Sequence, residues 1–258
     1  MFYHQRKFLA FLLKSTNQHG VHSPFIFNLV TKGLYKKINA KKWESFQNIK
    51  NQLSDTKSFK KVTNFDIDSN VFKANTLQTS KIEKIGPISN KKTRILIKII
   101  KYFKPKSILE IGTSLGVYTT ALKAGNKTSN ITTLENCKET SKVAKNIFEN
   151  NHLEQIKIIT GKFSKTISDV TKNSTFDCIL FNENHTKKET LVHFNNCVST
   201  IHNNSFFIFN DIYRDTEMES TWSEIKNNPK VTVTVDLFYY GIVFFRKEQA
   251  KEHFKIRV

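Results

Sequence analysis

Ser107-Ile-Leu-Glu-Ile-Gly-Thr-Ser-Leu-Gly-Val-Tyr-Thr-Thr120 decides the fold, because a short apolar strand runs directly into a Gly-x-x-x-Gly turn and then a helix. Ile108, Leu109 and Ile111 read as a buried parallel strand, with Glu110 the one acid near its carboxyl end. Gly112 and Gly116 let the backbone turn tightly and approach a ligand, and a helix starting near Val117 turns free N–H groups toward it. Such a turn suits a nucleotide-type cofactor, and it also serves as a plain strand-to-helix connection, so alone it leaves both readings open.

Outward from this stretch, the chain alternates strand and helix with short connections. Strands are predicted at 107–111, 131–134, 156–160, 176–181, 205–209, 231–237 and 241–246, and helices at 117–124, 138–150, 162–170, 187–201 and 214–226. That order predicts an α/β, Rossmann-like, mostly parallel seven-stranded sheet covered by helices on both faces, with the last two strands an antiparallel hairpin. Ahead of it lies a helical extension. A helix over 2–17 presents Phe8, Leu9, Phe11, Leu12 and Leu13 as a broad apolar side. A turn carrying His19 and His22 follows, placed to fold over the site or simply to pack. Ser23 and Pro24 then cap and open a helix over 24–36, and Trp43, Phe46 and Ile49 mark another over 40–53. Residues 54–80 are polar and irregular, with a loop at 64–70, and helix returns over 89–103 until Lys104-Pro105 stops it. The expected division is 1–87, a basic helical extension or lid, and 88–258, the sheet domain.

Composition bounds the function. Residues 1–106 hold 22 Lys and Arg against 5 Asp and Glu, leaving 19 against 17 for the remainder, so nearly all of the net charge of +19 lies ahead of the sheet. Clustered cations attract polyanions. However, 36 of the 41 basic residues are lysine, whereas phosphate recognition favours the arginine fork, so nucleic acid is an admissible but disfavoured partner. Cys137, Cys178 and Cys197 are too few and scattered for a disulfide framework or zinc cluster, and they favour a reducing compartment. The apolar run at 8–13 is too short for a membrane span or a signal peptide, so the sequence reads as cytoplasmic. A homodimer is compatible with it.

Ligands in such sheets bind at the carboxyl ends of the strands. Glu135 follows the second strand, 19 residues past Gly116, where a carboxylate can accept the hydroxyl protons of a ribose; its ordinary alternative is a helix N-terminal acid. Gly161-Lys-Phe163, Asn182-Glu-Asn-His185 and Asn210-Asp211 end the next three strands.

In that order these motifs resemble the class I S-adenosylmethionine-dependent methyltransferases, within them the small-molecule O-methyltransferases of catechol and caffeoyl-CoA type. The resemblance covers residues 88–246. It implies a cofactor site in which Gly112, Thr113, Ser114 and Gly116 surround the methionine end, Glu135 holds the ribose and residues 161–163 border the adenine, with Glu110, Asn136, Lys162, Phe163 and Asn182 also among the cofactor-binding residues. It implies a small-molecule acceptor with a hydroxyl or amine, for which Asp211 and His185 are the candidate catalytic residues. Two positions depart from the pattern. Lys162 stands where Asp commonly meets the adenine amino group. Metal-dependent relatives carry Asp at the fourth strand's end and Asp-Asn after the fifth, where this chain has Asn182 and Asn210-Asp211; hard cations prefer carboxylates, so no metal is expected, with Glu183 the substitute ligand if one binds. Competing readings are an RNA-directed methyltransferase docking through the basic region, a degenerate non-catalytic binding module, and, since a closely spaced Gly-x-Gly is absent, least of all a dinucleotide oxidoreductase.

Overall fold

The computed structural model describes residues 2–54, 88–182 and 186–258. The polar loop at 64–70 and both Glu183 and His185 lie outside the described residues. Eight strands form one sheet: β1 (Ser107–Ile111), β2 (Asn130–Glu135), β3 (Ile156–Thr160), β4 (Cys178–Phe181), β5 (Phe206–Asn210), β6 (Val233–Asp236), β7 (Tyr240–Phe244) and β8 (Glu252–Lys255), in the order β3-β2-β1-β4-β5-β7-β6-β8. The first five pair in parallel, and β7 runs antiparallel between β5 and β6.

The period-2 alternation of the strands builds two cores, one on each face. Cys178, Leu180, Phe206 and Ile208 point to one, and Ile179, Phe181, Phe207 and Phe209 to the other. The first is covered by α2 (Pro24–Asn28) with the π-helical turn Leu29–Leu34 that continues it, by α4 (Asn90–Phe103) and by α5 (Val117–Gly125), placed after α3 (Ala40–Ser54). Ile26, Leu29, Val30 and Leu34 are wholly buried there, so these early helices share the sheet's own core. The second is covered by α7 (Phe163–Thr171), α8 (Lys187–Val198) and α9 (Thr216–Asn227), with Phe11 of α1 (Phe2–Lys14) joining it; α6 (Lys138–Asn150) links β2 to β3.

The structure corrects the sequence reading at three places. Strand β8 was not expected: its run Glu252-His-Phe-Lys255 is mostly polar, yet it pairs in parallel with β6, burying Phe254. The apolar side of α1 is narrower, with Phe8, Phe11 and Leu12 against the core while Leu9 and Leu13 are 62% and 88% exposed. The His19–His22 turn does not fold over the glycine turn. It follows Thr16, which bridges Ile256 beyond β8, at the far end of the sheet from β1.

Several lysines of the basic half are internal ties. Lys50 Nζ donates to Ile88 O at 2.5 Å and Asn90 Oδ1 at 2.6 Å, fastening α3 to the start of α4, and Lys98 Nζ donates to Leu34 O at 2.7 Å. Burial pushes both ammonium groups below the ordinary lysine pKa. Among the described residues, no helix is long and apolar enough to cross a membrane.

Candidate active site

The glycine turn sits between the ends of β1 and β2. Gly112 (φ 97°) and Gly116 (φ 84°) take backbone conformations that L side chains rarely adopt, and Ser114 lies in the left-handed region (φ 49°). A Cβ on Gly116 would meet the Phe148 ring of α6 at 2.6 Å, so this glycine is required for helix packing as well as for the turn. Thr113 is buried, its hydroxyl 2.6 Å from that of Thr133. Glu110 is wholly buried below the turn, where Oε2 accepts from Thr119 at 2.5 Å and Thr133 at 2.7 Å. It ties β1, β2 and α5 together.

Glu135 ends β2 facing the turn. Its carboxylate accepts three backbone N–H groups: Ser114 at 2.8 Å on Oε2, and Asn136 and Cys137, each at 3.0 Å, on Oε1. Burial raises its pKa above the ordinary carboxylate value, against the lowering effect of those three N–H donors. A carboxylate offers about four lone-pair sites, so three amides leave room for a hydroxyl, and release of Ser114 would free a second place. The Ser114 amide thus couples the strained turn to the acid. Asn136 is exposed beside it. Lys162 is exposed at the N-cap of α7, and Phe163 turns into the core.

Beyond the turn, a hydrogen-bonded chain crosses the ends of β4, β5 and β7. Asn182 Nδ2 donates to Gly112 O at 3.0 Å, and Asn210 Nδ2 donates to Asn182 Oδ1 at 3.0 Å and to the Tyr118 hydroxyl at 3.3 Å. Tyr118 is hydrogen-bonded to Tyr240, whose hydroxyl donates to the Lys92 carbonyl at 3.3 Å. Burial raises both phenol pKa values, with the Asp211 charge adding to it, so both stay neutral. Asn210 Oδ1 is buried with no hydrogen-bond partner among the described residues, an acceptor aimed into this region.

Asp211 follows β5 in the left-handed region (φ 54°), its N–H held by Tyr239 O at 2.8 Å. Its carboxylate is ion-paired with Lys92 of α4. The helix after β5 is capped instead by Asp215, which accepts from Met218 N at 2.7 Å. Sequence reasoning missed Lys92, Tyr118 and Tyr240: Lys92 and Tyr240 sit in basic and apolar runs that carry no motif, and Tyr118, inside the motif stretch, read as an ordinary residue of the first helical turn. The donor set Asn182, Asn210 and Asp211 does not fit a divalent cation, because two members are carboxamides bonded to each other and the one carboxylate already holds an ammonium. Among the described residues, no group of three or more His, Cys, Asp or Glu is placed to hold a metal ion.

A family model described as a methyltransferase domain matches residues 109–212, from β1 through the segment after β5. No curated protein sequence matches the chain. Among solved structures, this chain is similar to the O-methyltransferase from Bacillus cereus in complex with SAH, at 16% identity and a TM-score of 0.54, over 78% of this chain and 99% of that one. It is also similar to the SAH-bound methyltransferase PaMTH1 from Podospora anserina (15% identity, TM-score 0.56, 83% and 100% covered). The O-methyltransferase TomG from Streptomyces achromogenes, involved in tomaymycin synthesis and solved with SAM, is a third (14%, 0.55, 70% and 91%). At these identities the likeness is one of fold, and the fold is the methyltransferase one.

Proposed function

We propose that this chain binds S-adenosylmethionine and directs its methyl group to a hydroxyl or amine of a small-molecule acceptor, without a metal. The observation that carries the reading is Glu135, a buried carboxylate at the end of β2 whose oxygens face the Gly112–Gly116 turn and retain capacity for ribose hydroxyls. Asn210 Oδ1, buried without a hydrogen-bond partner among the described residues, is a second feature that fits a polar ligand at these strand ends. The solved O-methyltransferases of this fold, some bound to SAM or SAH, support the same cofactor.

When bound, the cofactor supplies an electrophilic methyl group on a sulfonium. The chain's own residues then have three tasks. Glu135 and the turn hold the nucleoside, the Asn182–Asn210–Tyr118 chain keeps the strand ends in register, and Asp211 orients the acceptor or takes its proton. The metal-free reading rests on the donor chemistry of Asn182, Asn210 and Asp211. Titrating SAH into the protein by calorimetry tests the cofactor assignment: saturable heat supports it, and none overturns it.

A further inference from the structure

Resting on that reading of the cleft, we propose that Lys92 is the residue that activates the acceptor: its ammonium holds the acceptor oxygen as an oxyanion while Asp211 receives the proton. Lys92 comes from α4, ahead of the glycine turn, and its side chain is 18% exposed against 30% for Asp211, so the pair is accessible without being freely solvated. Its position is fixed from two directions. Its carbonyl is the last link of the hydrogen-bonded chain that starts at Gly112, and its ammonium lies 5.9 Å from the centre of the Tyr239 ring. The ion pair therefore belongs to the same hydrogen-bonded framework as the turn proposed to hold the methyl donor.

The charges around the pair favour an oxyanion. Lys91 adds a second ammonium, 5.6 Å from the same Tyr239 ring, while the phenols facing the pair, Tyr118 and Tyr240, are neutral. An ammonium has three N–H donors and Asp211 engages only part of that capacity. In the step proposed, the acceptor O–H bond breaks, its proton passes to a carboxylate oxygen of Asp211, and the electron pair stays on the acceptor oxygen, facing Lys92. The substrate class is thus a hydroxyl acidic enough to ionise beside one cation, a phenol or enol, with the Tyr239 ring as a wall for a flat acceptor.

The test uses 4-nitrophenol, whose ionised form absorbs in the visible, bound to the full chain with and without SAH. Lys92→Met raises the apparent pKa of the bound probe by about one unit, a roughly tenfold fall in the phenolate-to-phenol ratio. Asp211→Asn moves it by a similar amount in the opposite direction, because it frees the ammonium. Lys92→Arg, which keeps the charge, preserves the wild-type direction, so a loss of fold in one variant does not hide the result. Shifts of the same sign in Lys92→Met and Asp211→Asn, no shift in either, or no saturable probe binding overturns the proposal. The cofactor reading fails separately: absence of SAH heat with the opposed probe shifts intact leaves Lys92 and Asp211 as an oxyanion site and removes the methyl donor.

Discussion

Replacing Gly116 by Ala should destabilise the fold before it touches any ligand. The residue sits at φ 84°, and a Cβ there falls 2.6 Å from two atoms of the Phe148 ring. A left-handed conformation costs a non-glycine residue about 1–2 kcal/mol. Overpacking against a buried ring adds about 1–3 kcal/mol, and Phe148 has little room to withdraw because it is 4% exposed. The expected loss is therefore about 2–5 kcal/mol by urea denaturation followed by circular dichroism. Phe148→Leu alone should cost about 1–2 kcal/mol, and the double variant should lose less than the two singles together, by about 1–3 kcal/mol. Strict additivity would refute the steric part. A Gly116→Ala protein of unchanged stability that has lost SAH binding would refute the whole account of this glycine and restore ligand approach as its only task.

Asp177 Oδ2 accepts from the N–H groups of Lys106 and Ser107 at 2.6 and 3.0 Å, and Oδ1 meets His202 Nε2 at 2.9 Å. Burial alone would raise its pKa, but these partners outweigh it and hold the carboxyl below its ordinary value. Its stabilisation is thus complete above the unfolded value near 3.8 and lost as pH falls through the lower folded value, and Asp177→Asn should remove about 1–2 kcal/mol at neutral pH and flatten the acid limb of a denaturation profile. Glu135 has the opposite sign: its folded pKa is raised, so it opposes folding as pH rises through the window above about 4.5, and Glu135→Gln should make the protein more stable relative to wild type on the alkaline side of that window. Because 36 of the 41 basic residues are lysine rather than the arginine that phosphate recognition favours, and Lys50 and Lys98 are committed to internal acceptors, filter-binding at about 0.15 M salt should detect little RNA retention; retention that falls steeply with salt would favour the RNA-directed reading.

Local pattern made the sheet legible. Ile108 to Ile111 announced a buried strand because apolar continuity and the glycine turn agree, and Glu135 stood out because an acid directly after a strand lies at the ligand-binding edge. What stayed hidden depends on long-range placement. Lys92 and Asp211 are 119 residues apart and meet only because α4 packs on one face of the sheet with its first turn beside the end of β5. Tyr118 looked like an ordinary residue of the first helical turn until β5 brought Asn210 against its hydroxyl. Strand β8 escaped because an edge strand needs only one apolar face, and Phe254 alone carries it within the strand. The Gly116 turn was read correctly as a glycine requirement but for an incomplete reason, since the packing of Phe148 is a contact no local pattern contains.

The most direct measurement is calorimetric titration of SAH into the wild-type chain and Glu135→Ala at neutral pH. Saturable one-to-one binding to the wild type is expected, with a loss of at least about tenfold in affinity for the variant, equivalent to about 1.4 kcal/mol for the ribose contacts. Equal affinity in the two proteins would contradict the central claim that Glu135 and the Gly112–Gly116 turn form the nucleoside site.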